Sequence, residues 1–213
     1  MKHIYSISGF GADERVFSKL DFGENEAHFI PWIIPEKNES IASYAKRMQK
    51  DILHPNPVLV GLSFGGMMSI EIAKRITVEK VILISSICTS HELPLYMKIA
   101  GKLRLNRMIP MKPYPILEPL ENYNLGVKTK EQKILLKEYR KNLNLQYSNW
   151  AMNQVVNWKN EWIPPDLVHI HGTKDHIFPI RYIHNPDYII KGGGHFISMN
   201  NSEEMNEILK KIL

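Results

Sequence analysis

Apolar and polar positions fall in blocks along this 213-residue chain. Runs of strand length alternate with segments whose apolar residues recur at helical spacing. Residues 3–8 predict a buried strand, and a glycine-bearing loop follows at 9–12. Asp13 is suited to cap a short helix running to Leu20. Residues 29–34 read as a second strand, closed by Pro35. Across 39–53 the residues Ile41, Tyr44, Ala45, Met48 and Ile52 share one helical face. Residues 58–61 predict a third strand, 64–76 a helix, and 81–85 a fourth strand.

The alternation then stops. Residues 91–162 show no strand pattern, and Pro110, Pro113, Pro115 and Pro119 divide the first part into short helices and turns. Residues 129–143 predict a helix. Tyr147, Ala151, Val155, Trp158 and Trp162 form a stripe expected to pack on the main body. After Pro164-Pro165 the alternation resumes, with strands at 167–171 and 188–191 and a closing helix at 202–213. Such alternation implies a mostly parallel sheet with helices on both faces. The chain is expected to be a single α/β domain over 1–213, with a helical insertion at about 91–162.

The sharpest local signal is Gly61-Leu62-Ser63-Phe64-Gly65-Gly66. A serine between glycines, at the end of a buried strand and the start of a helix, is the pattern of a nucleophile elbow. The tight turn would lift the Ser63 hydroxyl out of the sheet. The helix N-terminus beneath it favours developing negative charge. A hydroxyl needs a base to become nucleophilic, and that base needs an orienting acid. Asp175 follows the strand at 167–171, and His195 follows the strand at 188–191 within Gly192-Gly193-Gly194-His195. The order Ser63, Asp175, His195 is nucleophile, acid, base. The loop Ser8-Gly9-Phe10-Gly11 leaves the first strand at the same edge. The backbone N–H groups of Phe10 and Phe64 are the expected oxyanion donors.

Together these segments resemble the α/β-hydrolase superfamily, in particular its small bacterial members. The resemblance spans nearly the whole chain and rests on Gly61 to Gly66, on His171-Gly172-Thr173-Lys174-Asp175 with Phe178-Pro179, and on Gly194-His195-Phe196. It implies the α/β-hydrolase fold with a minimal sheet of about six strands, the usual two leading strands being absent, and a lid over the site formed by the insertion. It also implies a serine esterase or thioesterase. Carbon–carbon hydrolysis or elimination on the same triad, and a non-catalytic binding module, are the alternatives. The family's oxyanion loop often begins His-Gly, where this chain has Ser8-Gly9. Glu92 stands where some members carry a substitute acid, after the other strand, but Asp175 is the expected one. Met97, Met108, Trp150 and Trp158 are expected to supply an apolar substrate pocket in the lid, with Leu103, Met111 and Tyr147 also available.

Composition narrows the setting. The one cysteine, Cys88, excludes an internal disulfide and fits a reducing compartment. It lacks the glycine-flanked turn of Ser63 and is expected to be buried. No apolar run approaches the length of a membrane span, and residues 1–8 run into a strand rather than a signal peptide. A cytoplasmic protein is expected. The net charge of +5 is uneven, because residues 91–160 hold 12 Lys/Arg against 5 Asp/Glu. Solvated helix faces explain that excess, and attraction of an anionic acyl ester or thioester is the sharper reading. Aromatic residues do not interleave with the charges as a nucleic-acid platform requires. The nine histidines show no metal spacing such as His-x-x-x-His, and His169 and His171 read as core or supporting residues. No metal and no dissociable cofactor are expected.

Overall fold

The computed structural model describes residues 1–105 and 114–213. Six parallel strands form one sheet in the order β2-β1-β3-β4-β5-β6. They are β1 His3–Ile7, β2 Glu26–Phe29, β3 Val58–Leu62, β4 Lys80–Ile84, β5 Leu167–Gly172 and β6 Tyr188–Ile190. The central strands read as unbroken apolar runs because both sheet faces are covered. Tyr5, Ile7, Leu59, Val81 and Leu83 pack on one side with helices α1 (Ile41–Met48) and α2 (Phe64–Ala73). Ile4, Val58, Val60, Ile82, Ile84 and Ile170 pack on the other. There they meet a short 3-10 turn, Glu14–Phe17, and the closing helices α7 (Ile197–Asn200) and α8 (Ser202–Ile212).

α2 has no polar stripe: every residue from Phe64 to Ile72 is buried. It is covered on both sides, by the sheet and by α1. Between β4 and β5 lies the insertion. Its described helices are α3 (Leu95–Lys102), α4 (Glu118–Leu125), α5 (Lys130–Asn142) and α6 (Leu145–Val156). α5 opens with a capping box in which the Thr129 hydroxyl accepts the Gln132 N–H.

Several elements differ from the sequence expectation. The second strand is Glu26–Phe29, not 29–34. None of its residues, Glu26, Ala27, His28 and Phe29, is fully buried, because β2 is the sheet edge, where only backbone pairing with β1 is required. The apolar stretch after it leaves the sheet. The Ile33 N–H donates to the Tyr44 hydroxyl, and Trp32 turns inward above β1. The segment after Asp13 is a single 3-10 turn, and the helix expected over 39–53 is α-helical only from Ile41 to Met48. α6 ends at Val156, so Trp158 and Trp162 lie beyond it. Pro110 and Pro113 lie outside the described residues. Among the described residues, no helix is long and apolar enough to cross a membrane.

Candidate active site

The turn from β3 into α2 is forced by close packing. A Cβ on Gly61 would lie 2.4 Å from the Gly66 Cα, and one on Gly65 would lie 2.1 Å from the Ile7 carbonyl oxygen. Only glycine fits at either position. Between them Ser63 takes φ 54° and ψ −119°, a region that side-chain-bearing residues rarely occupy. Its backbone is pinned on both sides: the Ser63 N–H donates to the Ile84 carbonyl at 2.9 Å, and the Ser86 hydroxyl donates to the Ser63 carbonyl at 2.6 Å.

Ser63, His195 and Asp175 form one hydrogen-bonded chain. Ser63 Oγ lies 2.9 Å from His195 Nε2, and His195 Nδ1 lies 2.8 Å from Asp175 Oδ2. All three residues are buried. A carboxylate only accepts, so Nδ1 carries the proton and the Nε2 lone pair faces the hydroxyl. The other Asp175 oxygen accepts the backbone N–H groups of Ile177 and Phe178 at 2.8 and 2.9 Å. Burial pushes the Asp175 carboxyl up. The charge and hydrogen bond of His195, with His171 and the Phe178 N–H, outweigh it and hold the carboxyl below its ordinary value.

Behind this chain stands a second one. His171 Nε2 lies 2.8 Å from the Phe178 carbonyl and 3.5 Å from Asp175 Oδ2, and its Nδ1 lies 3.3 Å from His169 Nε2. His169 Nδ1 in turn meets Cys88 Sγ at 3.3 Å. Burial drives both imidazoles down, His169 to about 3, so both are neutral at pH 7. His171 therefore stands beside Asp175 as a neutral imidazole. Burial pushes the Cys88 thiol up, against any thiolate. Glu92 is buried too, but its oxygens accept the N–H groups of Cys88 (2.5 Å) and His184 (2.8 Å). Burial raises its carboxyl, with those N–H groups only partly offsetting the rise.

A cavity of about 330 Å³ opens on Ser63 and His195. The sheet side supplies Gly9, Phe10, Leu62 and Phe196, and the insertion supplies Leu125, Leu136, Tyr139, Arg140, Leu143 and Met152. Arg140 is neutralised where it stands. It bonds Glu121 at 2.8 Å and the Asn122 amide at 2.7 Å, and it lies 3.4 Å from Glu118. Phe10 borders this cavity, and Phe64 is the first residue of α2, whose N–H has no partner within the helix. Ser8 braces their loop: its hydroxyl donates to the Ala12 carbonyl at 2.6 Å and accepts the Trp32 indole N–H at 3.0 Å. Trp32 also stacks on Phe64, with ring centroids 5.1 Å apart. No motif marks Trp32 for its position, whereas His171 opens the His171-Gly172-Thr173-Lys174-Asp175 segment and takes the supporting place expected of it.

The residues expected to form the pocket stand elsewhere, with the exception of Met108, which lies outside the described residues, as does Met111. Trp158 is buried with its indole N–H on Glu71 Oε1 at 3.0 Å. Trp150 donates to the Glu39 carbonyl at 2.7 Å and lies 4.1 Å from the Tyr44 ring. Met97 packs against the same apolar cluster. An indole needs an acceptor when it leaves water, and these two find theirs on α2 and at the start of α1. They fasten the insertion to the sheet layer, and the cavity is lined by α4, α5 and α6 instead.

No family model matches the sequence, and no curated protein matches it. Solved structures do. One is MenH from S. aureus, with a TM-score of 0.74 and 15% identity over 100% of this chain and 93% of that one. A thermophilic esterase from Thermogutta terrifontis gives 0.70 and 15% over 100% and 90%. A meta-cleavage product hydrolase from Pseudomonas fluorescens gives 0.69 and 15% over 100% and 90%. Sheet order, the strained turn at Ser63 and this likeness agree: the chain has the α/β-hydrolase fold.

Proposed function

We propose that the protein is a serine hydrolase of carboxylic esters or thioesters, with Ser63 as nucleophile, His195 as base and acid, and Asp175 as the group that orients His195. One observation carries this reading: the unbroken chain from Ser63 Oγ through His195 to Asp175, with links of 2.9 and 2.8 Å. Ser63 Oγ attacks the acyl carbon as His195 Nε2 takes its proton. The oxyanion forms against the N–H groups of Phe10 and Phe64. Collapse expels the alcohol or thiol, which leaves with the proton from His195. Water, deprotonated by His195, then attacks the acyl-enzyme and frees Ser63. The largely apolar cavity suits the acyl or alcohol group, and the insertion acts as a lid over it.

The fold neighbours include an esterase and a meta-cleavage product hydrolase, so fold alone does not choose between ester and carbon–carbon chemistry. The deciding experiment is a fluorophosphonate probe on the purified protein, followed by p-nitrophenyl esters and acyl thioesters of increasing chain length. Labelling of Ser63 with turnover of at least one ester series is expected. An unlabelled protein, or a labelled one inert to the whole panel, would reject the esterase assignment.

A further inference from the structure

The strand ends opposite Ser63 carry a second group of chemistry-bearing side chains. In the parallel pairing of β1 and β2, His3 lies against Glu26 and Tyr5 against His28. Side chains two apart share a face, so these four project together. The segment after α1 adds His54, whose ring stacks on His3 with centroids 3.5 Å apart and 4° between planes. His3 Nδ1 lies 3.4 Å from His28 Nε2 and 3.2 Å from a Glu26 oxygen, and His28 Nε2 lies 3.6 Å from the other Glu26 oxygen. Each of His3, Glu26, His28 and His54 offers one ligand atom, all within 4.8 Å of one another.

These separations have a physical meaning. A zinc ion with bonds of about 2.0–2.1 Å in a tetrahedron sets its ligand atoms about 3.3–3.4 Å apart. His3 Nδ1 and His28 Nε2 already stand at that spacing, and each has a different Glu26 oxygen near it, so a small turn of the carboxylate brings one oxygen to both. We propose that His3, Glu26, His28 and His54 bind one zinc ion. Three imidazole nitrogens and a carboxylate suit zinc and leave calcium and magnesium, which want oxygen, poorly served. His54 completes the tetrahedron by rotating out of its stack on His3. Tyr5 is built to support it: its hydroxyl lies 2.7 Å from His54 Nδ1 and also accepts the Leu53 N–H at 3.1 Å. A ligating imidazole needs a partner for its other nitrogen, and Tyr5 is that partner. Glu26 is half exposed and gives the ion a route in. The ion would clip the edge strand β2 to β1 and to the chain leaving α1, far from Ser63.

A second cluster, Cys88, Glu92 and His169, has ligand atoms equally close. It is sealed from solvent, and both Glu92 oxygens already accept backbone N–H groups. It serves as the control. The full chain, stripped with chelator and dialysed, is titrated with zinc by calorimetry. One ion per chain with a Kd tighter than about 100 µM and a melting temperature that climbs with zinc concentration are expected. His28→Ala and Glu26→Gln should each weaken binding at least ~10-fold, and Tyr5→Phe by a similar factor through His54. Fluorophosphonate labelling of Ser63 should be unaffected in all of them, which also reports that they fold. Cys88→Ser should bind as the parent does. Weaker binding by the parent chain, full binding by Glu26→Gln, or loss of binding in Cys88→Ser would each overturn the site. If His28→Ala does not fold, Glu26→Gln on its half-exposed carboxylate decides by the same criterion.

Discussion

Ser63, Asp175 and His195 leave the carboxyl ends of strands, whereas half of the cavity wall in front of them comes from helices of the insertion. The two regions are held differently. Around Ser63 the backbone itself is locked, by glycines that admit no side chain, by its N–H on the Ile84 carbonyl of β4 and by the Ser86 hydroxyl on its carbonyl. The insertion is held by side chains that reach across to the sheet layer. Trp158 bonds Glu71, Trp150 bonds the Glu39 carbonyl, Asn200 donates to the Gly126 carbonyl, and Tyr139 donates to Asp13. Position is thus set by main-chain packing where Ser63 meets His195 at 2.9 Å. It is set by replaceable anchors where only a shape is needed. Chemistry should therefore fail all at once when the strand ends are altered, and selectivity should shift by degrees when the insertion is.

The comparison breaks most sharply at the strand ends. Ser63→Ala should abolish covalent labelling and lower kcat by roughly three or more orders of magnitude with the fold intact by circular dichroism. His195→Ala should do nearly as much, and the double variant little more, because the residues act as a unit. Near-normal hydrolysis by Ser63→Ala would move the nucleophile elsewhere.

Next in size is the acid. Asp175→Asn keeps the contact but favours the wrong imidazole tautomer, so kcat should drop on the order of 10³-fold or more. Glu92→Gln should leave kcat within about two-fold, since its carboxylate holds backbone N–H groups rather than His195. The reverse pattern in steady-state kinetics would transfer the role to Glu92.

A smaller and graded effect is expected from the insertion. Met152 borders the cavity from α6. Met152→Trp should lower kcat/KM for long acyl p-nitrophenyl esters on the order of ten-fold while the acetate is spared. A uniform loss across chain lengths would mean that the substitution disturbs the reacting atoms and not the pocket shape.

The smallest concerns charge. Lys98, Lys102 and Arg104 lie outside the cavity lining, and Arg140 inside it is neutralised by Glu118 and Glu121. Any steering of an anionic ester must act at a distance and fade as salt shortens the screening length from about 10 Å at 0.1 M to about 3 Å at 1 M. kcat/KM for a carboxylate-bearing ester should lose at most a few-fold more than that for a neutral ester of equal size. Neutralising the three cations together should remove the difference. Equal salt dependence in the parent protein would leave them as a solvated helical face.

What the sequence makes legible follows the same division. Gly61 to Gly65, the residues after β5 and the glycines before His195 carry local patterns because backbone constraints are local, and their spacing places them at strand ends. β2 escapes because hydropathy marks burial, and an edge strand need not be buried. The apolar run at 30–34 is loop, with Ile30 buried, Trp32 supporting Ser8 and Ile34 exposed. The tryptophans of the insertion are apolar and large, which fits a pocket and an anchor equally well. Only the position of an acceptor for each indole N–H separates the two. The His3, Glu26, His28 and His54 group has no spacing signature because its members come from two strands and a loop brought together by register.

β4 and β5 are neighbours in the sheet, yet residues 85–166 separate them along the chain. Everything needed for β2-β1-β3-β4 with α1 and α2 is complete by Ile84. Closing so long a loop is entropically unfavourable until contacts at its far end repay it, so β5 and β6 are the late arrivals in assembly. Until they dock, the apolar β4 sequence Lys80-Val81-Ile82-Leu83-Ile84 is an open edge, the kind that invites pairing with another chain. On the ribosome this order has a chemical side. The segment bearing Ser63 emerges well before the one bearing Asp175 and His195, and the nascent half-sheet holds the Ser63 hydroxyl without its hydrogen-bond partner His195 until the last third of the chain has joined.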